Sequence, residues 1–148
     1  MRNINTLILT LLLMCVIFSC KKDTEKFAKI PSLEFVKITP SVAAEFVDEV
    51  KITVLYRDKD GDIGENDPEV KNLFVTDNRN DVKYSFRIPE LTPEGSEIAI
   101  EGNFEINLKV LSMVGDQEEE LAAFSVYILD RALNQSNSVT TEAITVKK

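Results

Sequence analysis

Histidine and tryptophan are both missing from this 148-residue chain. Without histidine the chain lacks the commonest general base near neutral pH and a frequent transition-metal ligand. Cysteine occurs only twice, at Cys15 and Cys20. The G-x-S-x-G, H-E-x-x-H and P-loop patterns of hydrolases, zinc proteases and nucleotide-binding proteins are also missing. These absences predict a protein that is not an enzyme.

Positive charge is scarce. The chain has 17 basic and 25 acidic residues, a net charge of −8. Removal of residues 1–19 would take away Arg2 and leave 16 basic residues, for a net charge of −9. Such an acidic protein is repelled by nucleic acid, so we expect no nucleic-acid partner.

The first nineteen residues have the layout of a secretory signal. Arg2 is their only charged residue, and the region from Leu7 to Phe18 is almost entirely apolar. An apolar run of about a dozen residues is shorter than the roughly 20 that a transmembrane helix needs. We therefore expect residues 1–19 to be a cleaved signal peptide, with an uncleaved membrane anchor as the alternative.

The residues before Cys20 resemble the lipobox of bacterial lipoproteins. Ile17-Phe18-Ser19-Cys20 has an aliphatic residue at −3 and a small residue at −1. The resemblance implies a diglyceride on the Cys20 thiol and a further acyl chain, such as palmitate, on the new amino terminus. Two or three acyl chains anchor a protein stably, whereas one holds it only marginally. Cys15 would leave with the signal, so no thiol would remain for other chemistry.

The polar residues after Cys20 predict a flexible tether and a cellular location. Residues 20–30 are charged and lack an apolar pattern, which favours a flexible tether. Lys22-Asp23 resembles the export signal of surface lipoproteins in Bacteroidetes-type bacteria. Inner-membrane retention of the enterobacterial kind would place Asp where Lys21 stands. The resemblance implies a lipid-anchored outer-membrane protein that could be exposed on the cell surface.

From residue 31 to residue 148 the apolar pattern has a period of two, which predicts strands. Turn residues such as Gly, Pro, Asn and Asp separate the alternating segments. About seven strands are predicted, at Leu33–Ile38, Val50–Tyr56, Leu73–Val75, Val82–Ile88, Phe104–Val110, Phe124–Ile128 and Val139–Val146. Gln117–Leu121 could form a short helical turn, but the alternation that follows it favours a strand.

Seven short alternating strands predict an all-β domain, an antiparallel Greek-key β-sandwich. Antibody domains have a buried Trp and a disulfide, and this chain has neither. The nearer resemblance is to cadherin-like and fibronectin type III-like members of the Ig-like folds, which are held together by packing alone.

The segment from Asp58 to Asp67 is the richest in metal-binding chemistry. Asp58, Asp60 and Asp62 follow one another at i, i+2 and i+4, with Gly61 allowing the chain to curl. The segment resembles the D-x-D-G-D-x-G calcium loops of dockerin-like and thrombospondin-type repeats. Calcium takes six to eight oxygen ligands, so this loop is a candidate calcium site with Asp67 among its ligands.

A second segment, Asp130 to Asn137, resembles the D-x-A-x-N-x-S turn between the last two strands of many bacterial Ig-like domains. In such a sandwich Asp130 and Asn134 would approach the Asp58–Asp62 cluster and complete a calcium site. The alternative is purely structural, because Asp, Asn and Gly are common turn residues without any metal.

Three functional hypotheses follow. The first is a non-enzymatic binding module on the cell envelope, stabilised by calcium, that binds an envelope protein or a glycan through its loops. The second is an accessory subunit of an outer-membrane complex. The third is a glycoside hydrolase that uses carboxylates among Asp58, Asp60, Asp62 and Asp130, which we disfavour because such carboxylates must flank a cleft.

Overall fold

A computed structural model describes residues 28–148, so the predicted signal peptide, Cys20 and most of the predicted tether lie outside the described residues. The described chain contains ten strands and no helix. Their bounds are β1 Ser32–Thr39, β2 Val42–Ala44, β3 Val50–Asp58, β4 Leu73–Asp77, β5 Lys83–Phe86, β6 Ile100–Leu108, β7 Glu119–Ala122, β8 Phe124–Ile128, β9 Val139–Thr140 and β10 Ile144–Lys147.

The all-β prediction is confirmed, with ten strands where about seven were predicted. Three sheets have the strand orders β1-β3-β6, β2-β10-β7 and β5-β4-β8-β9. Every pair within them is antiparallel except β2–β10, which is parallel. No helix long and apolar enough to cross a bilayer occurs between residues 28 and 148.

Two of the predicted boundaries are wrong. The single strand predicted over Val139–Val146 is two strands, because the chain leaves β8 after Thr140 and pairs with β7 and β2 from Ile144 onward. β6 begins at Ile100 rather than Phe104. Its first half contains Gly102, because a side chain there would lie 2.6 Å from the Tyr56 hydroxyl. Glycine stands where an apolar residue would continue the alternation, so the sequence pattern did not reveal this part of the strand.

One hydrophobic core is shared by all three sheets. The alternate residues Val50, Ile52 and Val54 of β3 are fully buried, and so are Phe124, Val126 and Ile128 of β8, as expected when one strand face packs inward. The largest fully buried side chains are Phe124, Ile52, Ile63, Leu108, Leu111, Ile128 and Ile144. Ile63 belongs to the acidic loop, so that loop is packed onto the core.

Candidate functional site

The acidic loop follows the last residue of β3. Its backbone is folded tightly, because Gly61 and Gly64 adopt positive φ angles of 73° and 94° that favour glycine. A Cβ atom at Gly61 would lie only 2.3 Å from the Ile98 carbonyl oxygen, and one at Gly64 only 2.2 Å from that of Pro89. The loop is therefore pressed against residues 89–98, and neither glycine can be replaced without moving backbone.

Asp58, Asp60 and Asp62 converge at this loop. One carboxylate oxygen from each lies within 4.8 Å of the other two. Asp58 is fully buried, and Asp60 and Asp62 are half-buried. One buried oxygen of each carboxylate, its Oδ1, has no hydrogen-bond partner among the described residues. We call these three residues the acidic triad. Buried polar atoms normally have partners, so three such oxygens in one place call for an explanation.

Burial and mutual repulsion make the triad electrostatically unfavourable. Burial, with the charges of Asp60 and Asp62, raises the pKa of Asp58 from 3.8 to about 7. The pKa of Asp62 is raised by burial and by the charges of Asp130 and Asp60. The Asp62 backbone nitrogen donates to Asp58 Oδ2 over 3.0 Å, and this hydrogen bond partly offsets the rise in the pKa of Asp58. The site therefore disfavours the negative charges that its residues carry at neutral pH.

Positive charge from the described protein compensates the triad only in part: the charge of Arg131 lowers the pKa of Asp62, but burial and the neighbouring carboxylates raise it more. The ion pair of the triad with Lys29 spans 3.7 Å from Nζ to Asp60 Oδ2, and the Lys29 side chain is 69% exposed. An exposed pair of this length contributes little. The Ala28 carbonyl also accepts a hydrogen bond from the Lys59 nitrogen. Residues 28 and 29, which the sequence assigns to the tether, thus contact the acidic loop.

The turn around Asp130 meets the acidic loop, and its carboxylate already accepts hydrogen bonds from within the turn. Ile63 and Asp130 form an antiparallel bridge, and the Arg131 nitrogen donates to the Asp62 carbonyl oxygen over 3.1 Å. Both Asp130 carboxylate oxygens accept hydrogen bonds from Asn134, one from its backbone nitrogen (2.7 Å) and one from its side-chain amide (2.9 Å). Asp130 and Asn134 are thus near the triad, as the sequence suggested, but they bind each other.

Asp67, the sixth predicted ligand, is exposed and lies outside the acidic triad. Its Oδ1 accepts a hydrogen bond from the Glu69 nitrogen over 2.9 Å. This is the local turn pattern that Asp forms without any ligand.

The sequence did not predict a network of hydrogen bonds that joins Arg131 to the acidic loop. Arg131 donates to Glu90 Oε1, to the Thr92 carbonyl and to the Gly61 carbonyl at 3.0–3.3 Å, and the Thr92 hydroxyl also donates to the Gly61 carbonyl. Some 39 residues separate Arg131 from Thr92, so no local pattern could have revealed the contact. This network occupies the Gly61 carbonyl and leaves the carboxylates as the loop's unused acceptors.

The geometry suits a hard divalent cation. Calcium–oxygen distances are about 2.3–2.6 Å, so oxygens on one ion are separated by at most about 5 Å. The 4.8 Å limit within the triad is compatible with a single shared ion. A cation there would neutralise the repulsion and give the three Oδ1 atoms a partner. Carboxylate oxygen without nitrogen or sulfur favours calcium or magnesium over zinc or copper.

No protein-family model, no curated protein and no solved structure matches this chain significantly. What the site does must therefore be argued from its own residues.

Proposed function

We propose that this protein is a lipid-anchored, outer-membrane lipoprotein whose Ig-like β-sandwich is a non-enzymatic binding module stabilised by calcium. The observation that carries the proposal is the acidic triad, with three buried carboxylate oxygens that lack any described partner. A bound calcium ion supplies the missing partner and converts the most unfavourable part of the fold into a stabilising one.

The triad favours a structural ion over hydrolysis. Retaining glycoside hydrolases hold their two carboxyl groups about 5–5.5 Å apart on opposite sides of the scissile bond, and inverting enzymes hold them further apart. The triad oxygens lie within 4.8 Å of one another, and all three come from one five-residue stretch of loop. This arrangement suits a single shared ion better than two groups that flank a substrate cleft.

Thermal melting of the full chain in detergent tests the calcium site. At a calcium concentration a hundredfold above Kd, binding adds about 2.7 kcal/mol to the free energy of unfolding. For a domain of this size that raises Tm by roughly 10 °C relative to a chelator. We expect Asp60→Asn to lose most of this rise, because it removes one of three carboxylates that bind the ion.

Asp67→Asn is the matched control, since Asp67 belongs to the same loop but lies outside the triad. It should keep the full rise. A wild-type Tm that does not move between millimolar calcium and chelator would refute the calcium site. An equal loss in both variants would point to general loop charge instead.

The lipid anchor is tested separately by metabolic labelling with a palmitate analogue. The wild type should incorporate label and the Cys20→Ala variant should not, because Cys20 is the proposed acylation site. Cys15→Ala is the control, since Cys15 lies within the proposed signal peptide. Label that persists in Cys20→Ala would contradict the lipoprotein assignment and leave the calcium result intact.

A further inference from the structure

A cleft of about 530 Å³ opens between β5 and β6. Its volume is within the range of ligand sites in proteins. The floor is formed by the apolar side chains of Tyr56, Leu73, Phe86, Ile88, Phe104 and Ile106. Leu73, Ile88 and Ile106 belong to the hydrophobic core, so the cleft gives access to the core itself.

Both walls of the cleft are sheet edges. β5 is the last strand of the sheet β5-β4-β8-β9, and β6 is the last strand of β1-β3-β6. The outer edge of each has no backbone partner among the described residues. The part of β6 beside the cleft, Asn103 to Leu108, gives roughly 20 Å of edge without a backbone partner among the described residues. Such an edge is a template for a further strand.

The opposite edge of the same sheet, at β1, is partly closed by the protein. The Leu33 nitrogen donates to Asn137 Oδ1 over 2.8 Å, and Asn137 Nδ2 donates to the Leu33 carbonyl over 2.9 Å. The Asn137 side chain therefore takes the place of a neighbouring strand at that point. From Asn103 to Leu108, no side chain of a described residue takes the place of a neighbouring strand in this way. The two edges of the sheet therefore differ, because only the β1 edge is partly covered.

Charge indicates what the cleft accepts. Residues 28–148 carry 13 basic and 23 acidic side chains, and most of the basic ones are in ion pairs. The charged residues that line the cleft are Arg87, Lys109 and Glu105. Glu105 is paired with Lys51 over 3.3 Å, whereas neither Arg87 nor Lys109 forms an ion pair with a described carboxylate. Arg87 is held in place by the carbonyl oxygens of Glu65 and Asn66, at 3.0 and 3.2 Å. Two uncompensated cations in an acidic domain favour an anionic ligand.

We propose that the β5–β6 cleft binds an extended segment of a partner protein, added as a strand to the free edge of β6, with acidic side chains that meet Arg87 and Lys109. The backbone edge would supply hydrogen bonds, and the apolar floor would accept alternate side chains of the segment. This goes beyond the calcium-stabilised module proposed above and does not depend on calcium.

A phage-displayed library of random twelve-residue peptides, selected on the full chain in detergent, tests the proposal. We expect the enriched peptides to combine alternate apolar residues with acidic ones. The cysteines of the chain are Cys15 and Cys20. In a Cys15→Ala, Cys20→Ala background, Asn107→Cys on β6 therefore allows a benzophenone label to be placed beside the cleft. It should cross-link to the enriched peptides, whereas a label at Lys37→Cys on β1 should not.

Charge reversal provides the quantitative test. Lys109→Glu should raise the Kd of an enriched synthetic peptide about tenfold, because it replaces an attraction by a repulsion. Lys37→Glu is the matched control, since Lys37 also has no described ion pair and should leave Kd unchanged. Lys109 has no described hydrogen bond, and an unchanged Tm would confirm that the variant folds.

Several outcomes would overturn the proposal. They include a selection that enriches no peptide, equal cross-linking at both labelled positions, and a Kd that Lys109→Glu leaves unchanged. Protection of Asn107→Cys from labelling by polygalacturonate, without any effect of peptides, would assign the cleft to an acidic glycan. A dimer in sedimentation that Lys109→Glu dissociates would assign the cleft to a second copy of this chain.

Discussion

Asp58 and Asp77 occupy equivalent positions, at the last residue of β3 and of β4, and both are almost completely buried. Asp77 is paired through both carboxylate oxygens with Arg79, at 2.6–3.2 Å, and Arg79 also pairs with Glu120. Asp58 has two carboxylates as its neighbours in place of an arginine. One buried aspartate is thus compensated from within the chain and the other is not.

The two aspartates also lie toward opposite ends of β8. Asp77 pairs with Phe124 at the beginning of β8, whereas the acidic loop contacts Asp130, just after its end. A buried charge is tolerated when it is paired and hydrogen-bonded. The comparison shows that this fold supplies an internal cation to Asp77 and supports the proposal that the triad binds a cation from outside.

The largest expected change in the free energy of unfolding concerns Asp77, whose buried charge is compensated by Arg79. Arg79→Met would leave Asp77 buried and unpaired, so we expect it to lower the free energy of unfolding by about 3–5 kcal/mol in urea titrations. Lys51→Met removes the exposed pair with Glu105 and should cost at most about 1 kcal/mol. Equal losses in the two variants would show that the buried Arg79–Asp77 pair stabilises the protein no more than the exposed Lys51–Glu105 pair does.

The next effect has the opposite sign and concerns the triad. In chelator at pH 8, Asp58→Asn should raise the free energy of unfolding by about 1–3 kcal/mol, because it removes a buried charge and an unpaired acceptor. The same variant should lose the calcium-induced rise in Tm. Destabilisation of the calcium-free protein by Asp58→Asn would contradict the view that the triad is under electrostatic strain.

The third effect is the pH dependence of the triad. The folded pKa of Asp58, about 7, is above its ordinary value of 3.8, so its contribution to stability is complete below pH 4 and is lost as pH rises to 7. In chelator we therefore expect this part of the stability to fall between pH 4 and 7. The rise in Tm caused by calcium should grow over the same range, because the ion competes with a proton at Asp58.

Asp58→Asn controls for other titrating groups in that measurement. The difference in Tm between the wild type and Asp58→Asn isolates the contribution of this one carboxylate. If that difference is the same at pH 4 and pH 8 in chelator, the raised pKa of Asp58 is excluded.

Several strands and the acidic loop could be predicted from the sequence because their signals are local. Alternation over Val50–Tyr56 and Phe124–Ile128 is sufficient to identify two of the strands, and the spacing of Asp58, Asp60 and Asp62 brings the carboxylates together in a curled loop. The three-residue β2 and the four-residue β7 are too short for such a pattern to identify. Their pairing with β10 depends on contacts distant in sequence.

By itself the sequence determined the strand period, the acidic character and the presence of three carboxylates within five residues. Only the tertiary structure decided which of the predicted ligands remain available. Both Asp130 oxygens accept a hydrogen bond from Asn134, and Asp67 accepts one from the backbone of Glu69. Only the Oδ1 atoms of the triad are buried without a described partner. Burial and hydrogen bonding depend on what the rest of the chain packs around a residue, and a linear pattern does not contain that information.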